Sequence, residues 1–105
     1  MSYNVIVSEL ARLDIEDAIE WYSAKQKGLG QKFLYTVKDC LKLLVINPLA
    51  YSKVYKEIRR VLTKKFSYAL FYKIDRQEKL VTVYTVLHTS RNPELIGKRY
   101  NRFTE

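Results

Sequence analysis

Several things are scarce in this chain of 105 residues, and each scarcity excludes something. One cysteine, Cys40, rules out an intrachain disulfide. A cysteine-based zinc site would need several ligands at fixed spacing, and the only histidine, His88, could add just one, so no metal is expected. Two prolines and three glycines, against 48% hydrophobic residues, argue against disorder and for a packed core. Acidic residues are few in the second half. Residues 1–50 balance six basic against six acidic groups, whereas the rest holds thirteen basic and five acidic, which carries the whole net charge of +8. That asymmetry points to a polyanionic or acidic partner. No apolar run approaches the ~20 residues of a membrane span. Met1-Ser2-Tyr3-Asn4 lacks the positive start of a signal peptide. A cytoplasmic protein forming one domain over 1–105, with no cofactor and no membrane partner, is the expectation.

What is present concentrates in 57–99. A basic strand, Glu57-Ile58-Arg59-Arg60-Val61-Leu62, is followed by the link Thr63-Lys64-Lys65 and an aromatic strand beginning at Phe66. Phe66, Tyr68, Leu70, Tyr72 and Ile74 alternate with Ser67, Ala69, Phe71 and Lys73, so one face is apolar throughout and the other is mixed. Residues 75–79 form a polar hairpin loop. Residues 80–87 are β-prone on both faces, which predicts a central strand. His88, Arg91 and the helix start Asn92-Pro93-Glu94 come next, then a short helix over 93–100 with a basic end.

The first half reads as support. Residues 3–7 predict an edge or second-position strand. Ser8 stands where a helix cap belongs, and Ala11, Ile15, Ala18 and Tyr22 recur at helical spacing over 9–24, with Ile19 and Trp21 on the flanks. Asp14, Glu16, Asp17 and Glu20 fill the opposite arc as a solvated face. Gly28 and Gly30 mark a turn where both are expected to allow positive φ. A second helix follows, with Phe33, Val37, Cys40, Leu41 and Leu44 on one stripe, and Asn47-Pro48 ends it. Residues 49–54 are expected to be a loop. The predicted fold is α+β: an N-terminal strand, an αα-hairpin, a three-stranded antiparallel meander and a short C-terminal helix. The helices should cover one sheet face and leave a basic face partly open.

Chemistry on that face would draw on His88, the one imidazole and a residue type suited to act as base or acid, on Arg91, whose planar fork suits phosphate or carboxylate, and on Arg60. Of Arg59 and Arg60, neighbours on a strand, only one can reach the open face, and Arg60 is the choice. Each has a plainer alternative. His88 can simply bond a neighbour at a strand end, Arg91 can pair with Glu94, and Tyr68 and Tyr72 can be core.

The ordered set Ala11, Asp14-Ile15, Ala18, Trp21-Tyr22, Gly28, Gly30, Phe33, Asn47-Pro48, Ile58-Arg59-Arg60, Phe66-Ser67-Tyr68, Phe71-Tyr72, Val86-Leu87-His88, Arg91-Asn92-Pro93 and Arg99 resembles the RelE/ParE toxins of bacterial type II toxin–antitoxin systems, on the ParE-like branch. The resemblance spans nearly the whole chain. It implies a cytoplasmic toxin held inactive, as a hetero-oligomer, by a cognate antitoxin with an acidic, partly disordered segment. It also implies one of two targets: DNA gyrase for ParE-like members, or mRNA on the ribosome for RelE-like endoribonucleases. RNA-cleaving members often carry an arginine where this chain has Ala69. Some use a tyrosine where it has Gly97. Both departures favour the gyrase reading. A non-toxic basic nucleic-acid-binding module is a further alternative. The candidate partner-binding residues are Arg59, Arg60, Lys64, Lys65, Tyr68, Arg91 and Arg99. If the protein is a ribonuclease, its candidate catalytic residues are His88, Arg91 and Arg60.

Overall fold

In a computed structural model of the chain, residues 2–90 and 95–99 are described. Strand β1 (Asn4–Val7) leads into helix α1 (Glu9–Lys25), a short turn and helix α2 (Leu29–Ile46). After a single 3-10 turn, Pro48–Ala50, come strands β2 (Lys53–Tyr55), β3 (Ile58–Leu62), β4 (Tyr68–Asp75) and β5 (Leu80–His88). Residues 95–99 are helical. The strands form one sheet in the order β1-β5-β4-β3-β2. β2 to β5 are an antiparallel meander, and β1 closes the sheet in parallel against β5, with Val7 opposite Val83. β2 begins within the stretch 49–54 expected to be a loop. At three residues it is too short to leave a periodic signal.

α1 starts at Ser8, whose hydroxyl accepts from the Ala11 amide at 3.1 Å and donates to the Tyr84 carbonyl at 2.9 Å. One side chain thus caps the helix and ties it to β5. Gly28 has φ +83° and provides the left-handed turn between the helices. Gly30, contrary to the sequence expectation, is not a positive-φ residue. It lies inside α2 where a Cβ would come 2.1 Å from Ser23 Oγ and 2.6 Å from the Ile19 carbonyl. Its role is close helix–helix approach.

The main core lies between the hairpin and one sheet face. Ala11, Ala18, Phe33, Val37, Cys40 and Leu44 from the helices meet Val61, Leu70, Tyr72, Val81, Val83 and Val86 from the strands. Tyr72 is fully buried, and its hydroxyl donates to the Pro48 carbonyl at 2.5 Å. The second face is not an open cationic plane. Ile58, Ala69, Phe71 and Leu87 form a second apolar cluster, with Tyr55, Tyr84, Leu95 and Ile96 packed on it. The helical segment 95–99 therefore covers the middle of the face expected to be open. The reason is compositional: Phe71 and Leu87 put large apolar side chains on the mixed face, and Leu95 and Ile96 shield them.

Replacing Gly30 by alanine should force α1 and α2 apart and cost roughly 1–3 kcal/mol, as overpacking does. The expected readout is a lower urea midpoint with little change in slope. An unaltered midpoint would show that the helices part freely at this crossing.

Candidate functional site: the Arg60–His88 cleft and the Asp14 junction

The strand periodicity sorts the cations. On β3, Ile58, Arg60 and Leu62 share the second face while Arg59 and Val61 face the helices. Arg59 turns back and donates to the Tyr51 carbonyl at 2.5 Å and the Leu49 carbonyl at 3.4 Å, which holds the segment after α2. Arg60 is exposed, and its amide donates to the Ser52 carbonyl at 3.3 Å. Its side chain borders a cleft of about 220 Å³ with Val54, Phe71, Leu87, His88 and Ile96.

His88 ends β5, opposite Tyr68, with the two rings edge to face at 5.3 Å. Its Nδ1 accepts from the Ser90 amide at 3.1 Å and lies 2.7 Å from the Ser90 hydroxyl. An amide can only donate, so Nδ1 is the acceptor and the proton of the neutral ring sits on Nε2. Tyr68 belongs to a stack of rings. It meets Phe33 at 5.0 Å and Tyr22 at 6.1 Å, and Tyr22 meets Phe66 at 5.0 Å. Burial pushes the Tyr22 phenol above its ordinary value, with Tyr68 adding to the effect.

Lys64 and Lys65 lie on the β3–β4 loop at the same end of the sheet and are exposed. Lys65 (φ 73°) and Ser67 (φ 54°) adopt left-handed backbone there. The loop is pinned by the Thr63 amide on the Tyr68 carbonyl at 2.9 Å and the Thr89 amide on the Ser67 carbonyl at 2.8 Å. Arg91 and the helix start at Asn92-Pro93-Glu94 fall outside the described residues.

Arg99 is turned inward. Its guanidinium lies 2.7 Å from Asp14 Oδ2 and also donates to Thr85 Oγ1. The same carboxylate oxygen accepts from the Thr85 hydroxyl at 2.6 Å and the Val86 amide at 3.0 Å. The Arg99 and Asp14 side chains are 21% and 12% exposed, so this pair is largely withdrawn from water. The structure thus brings Arg60 and His88 together, leaves Lys64 and Lys65 on the adjoining loop, and places Arg59, Tyr68 and Arg99 in internal contacts. The importance of Asp14 was missed from sequence because it sits among solvated acids. Its position one turn from Ala11 and Ala18, on the buried side, was the available signal.

Cys40 is buried in the core stripe, and burial pushes its thiol up to about 11 from an ordinary 9.0. Among the described residues no three His, Cys, Asp or Glu side chains converge to hold a metal, and no helix is long and apolar enough to cross a membrane.

Residues 5–93 match the family described as ParE toxin of type II toxin–antitoxin system, parDE. The chain belongs to the ParE toxin family. Comparison with curated protein sequences gives no significant match. Among solved structures, the toxin resembles a chain of the RelBE2 toxin–antitoxin complex of Mycobacterium tuberculosis at 20% identity and a TM-score of 0.60, over 84% of this chain and 99% of that one. It is similar to a chain of the chromosomal ParDE system of Pseudomonas aeruginosa at 9% identity and a TM-score of 0.62, over 85% and 98%. It is also similar to a mutant of the Escherichia coli toxin RelE in the free state, at 16% identity and a TM-score of 0.60, over 97% and 98%. At these identities the likeness is one of fold, and it is the RelE/ParE fold. Between its ends this toxin has the family's strand, helical hairpin and meander.

Two outcomes are expected. Asp14→Ala should cost about 3 kcal/mol, because it leaves an amide, a hydroxyl and a guanidinium without their acceptor. Arg99→Met should cost about half of that, since the carboxylate keeps two donors. Chemical denaturation of both variants checks the ordering, and equal losses would contradict it. The second outcome concerns Cys40, whose raised thiol favours the neutral form in the folded state. Stability from this source should be intact below about pH 9 and fall as pH rises toward about 11. At pH 8 the thiol should react with a thiol reagent only after unfolding. Rapid labelling of the native toxin would contradict its burial.

Proposed function

We propose that the toxin arrests growth by binding DNA gyrase, as a cytoplasmic protein without chemistry of its own, and that a cognate antitoxin neutralises it. The observation that carries this reading is the composition of the Arg60–His88 cleft. Metal-free RNA cleavage needs a base for the 2′-hydroxyl and an acid for the leaving oxygen. Among the described lining residues His88 is the one group suited to either task, and its Nδ1 is already engaged with Ser90. Position 69 carries a fully buried alanine. At Gly97 a Cβ would lie 3.3 Å from the Tyr55 ring, so a larger side chain there must displace Tyr55. Both positions where a ribonuclease of this family would carry extra functional side chains are therefore packing positions.

The second reading, a ribosome-dependent mRNA endoribonuclease, has one observation in its favour: Arg60 and His88 share a cleft, a cation beside an imidazole. With Arg91, these would be its working groups.

The antitoxin segment has a fitting surface. Leu43, Val54 and Leu62 are exposed apolar residues that line, with Arg60, a groove of about 440 Å³ between α2 and β3. An acidic, partly disordered segment would fold against this groove, burying apolar side chains and setting carboxylates toward Arg60. Lys64, Lys65 and Arg91 would extend the attraction.

Expression of the toxin alone in a bacterial host should arrest growth with DNA breaks and an SOS response, and without codon-biased cuts in mRNA. Primer extension that maps cleavage to the ribosomal A site would reverse the order of the two readings. Arg60→Glu combined with Arg91→Glu should weaken capture of the antitoxin by roughly 30-fold or more, the scale for disrupting close interfacial charge pairs. Unchanged affinity would remove these arginines from the interface.

A further inference from the structure

A third cleft is larger than the two already described. It holds about 510 Å³ between α1 and the end of β5, and is lined by Asp17, Trp21, Tyr22, Tyr68, His88 and Ser90, with the Asp14–Arg99 pair at its base. That volume is typical of sites for small organic groups. Trp21 is 56% exposed, an unusual cost for the chain's only tryptophan. Asp17 precedes it by four residues, so carboxylate and indole sit one turn apart on the same side of α1. Asp17 is exposed and makes no hydrogen bond or ion pair among the described residues.

The charges are layered. Arg99 neutralises Asp14, so among the described lining residues Asp17 is the one uncompensated charge. The surroundings are cationic: Lys25 Nζ lies 4.7 Å over the Trp21 ring, and Lys64 and Lys65 precede Phe66, whose ring meets Tyr22. A π-surface, one carboxylate inside and ammonium groups outside match a nucleotide, with the base stacked within and the phosphate held at the rim. A ligand cation would instead meet Lys25 at the same ring.

We propose that this cleft is a nucleobase pocket selective for guanine. A carboxylate can accept from two adjacent donors at once. Guanine presents such a pair on one edge, its ring N1–H and exocyclic amine, whereas adenine presents an amine beside an acceptor. Asp17 takes that edge and Trp21 takes the face. His88, with its proton on Nε2, supplies a donor for an acceptor on the remaining edge, while the Ser90 hydroxyl stays on Nδ1. Because the base is neutral, no second charge is desolvated beside Asp17. The inference goes beyond the gyrase reading and does not rest on it, since nucleic acid is present at gyrase and at the ribosome alike.

Trp21 is its own probe. The purified full chain is titrated with guanosine and adenosine monophosphates, and with two single-stranded pentanucleotides differing only in a central guanine or adenine, while tryptophan emission is read. Guanine ligands should quench and bind about tenfold more tightly than their adenine counterparts. Asp17→Asn should bring the two within about twofold while quenching persists. Trp21→Leu, followed by anisotropy of a labelled oligonucleotide, should weaken the guanine strand about tenfold, the scale of one lost base stack. Equal affinity for the monophosphate and the strand would assign the pocket to free nucleotides. Much tighter binding of the strand would assign it to nucleic acid. Equal binding of guanine and adenine overturns the proposal, as does a preference that survives Asp17→Asn. Quenching by an arginine amide with none by guanine ligands would make the cleft a cation site instead. No gyrase or ribosome enters the assay, so its failure leaves the growth-arrest test intact.

Discussion

Between Phe71 and Tyr72 the β4–β5 ladder slips: Phe71 stands opposite Thr85 and Tyr72 opposite Val83, so β5 spends an extra residue on the same step. A bulge of this kind turns backbone groups away from the ladder, and each needs another partner. Here α1 provides them. Ser8 bonds the Tyr84 carbonyl through its hydroxyl and the Val83 carbonyl through its amide, and Asp14 accepts from Val86. The hairpin is thereby fixed to the sheet by polar contacts at a defined register as well as by apolar packing. Arg99 then completes the same carboxylate and holds the helical segment that covers the second face. One side chain, Asp14, joins three parts of the molecule.

This junction also decides where charge is displayed. Arg59 and Arg99 are drawn inward, one onto carbonyls after α2 and the other onto Asp14. Arg60 and the β3–β4 loop lysines remain outside, at the rim of an apolar patch. The positive surface is thus a border around buried apolar residues. A partner that engages it must bring apolar side chains as well as negative charge. A uniformly acidic strand would satisfy only half of it.

Much of this was legible in the residues. Ser8 as a cap, the stripe from Phe33 to Leu44, the Asn47-Pro48 stop and the two-faced alternation of β4 each have a local physical cause, and the sequence carries local causes openly. The parallel seat of β1 and the covering of the second face do not. Both depend on contacts between distant residues, Val7 with Val83 and Leu95 with Phe71's cluster. Gly30 was misjudged for the same reason: its constraint is a neighbouring helix, which periodicity within α2 cannot reveal. At the site, strand alternation required that only one of Arg59 and Arg60 reach the second face, and did not say which. The pairing of Arg99 with Asp14, 85 residues away in the chain, had no such rule behind it.

The parallel pairing of β1 with β5 has a bearing on biosynthesis. Asn4 to Val7, and then Ser8 and Asp14, find their sheet and junction partners at 79–86 and 99. While the polypeptide is still emerging from the ribosome, the hairpin can form, yet the sheet edge it must anchor does not exist. Closure awaits residues 80–99, as folds held by non-local pairings require. Until residues 80–99 are made, the hairpin is a layer without its sheet. The sheet with both faces covered arises only once those residues have emerged.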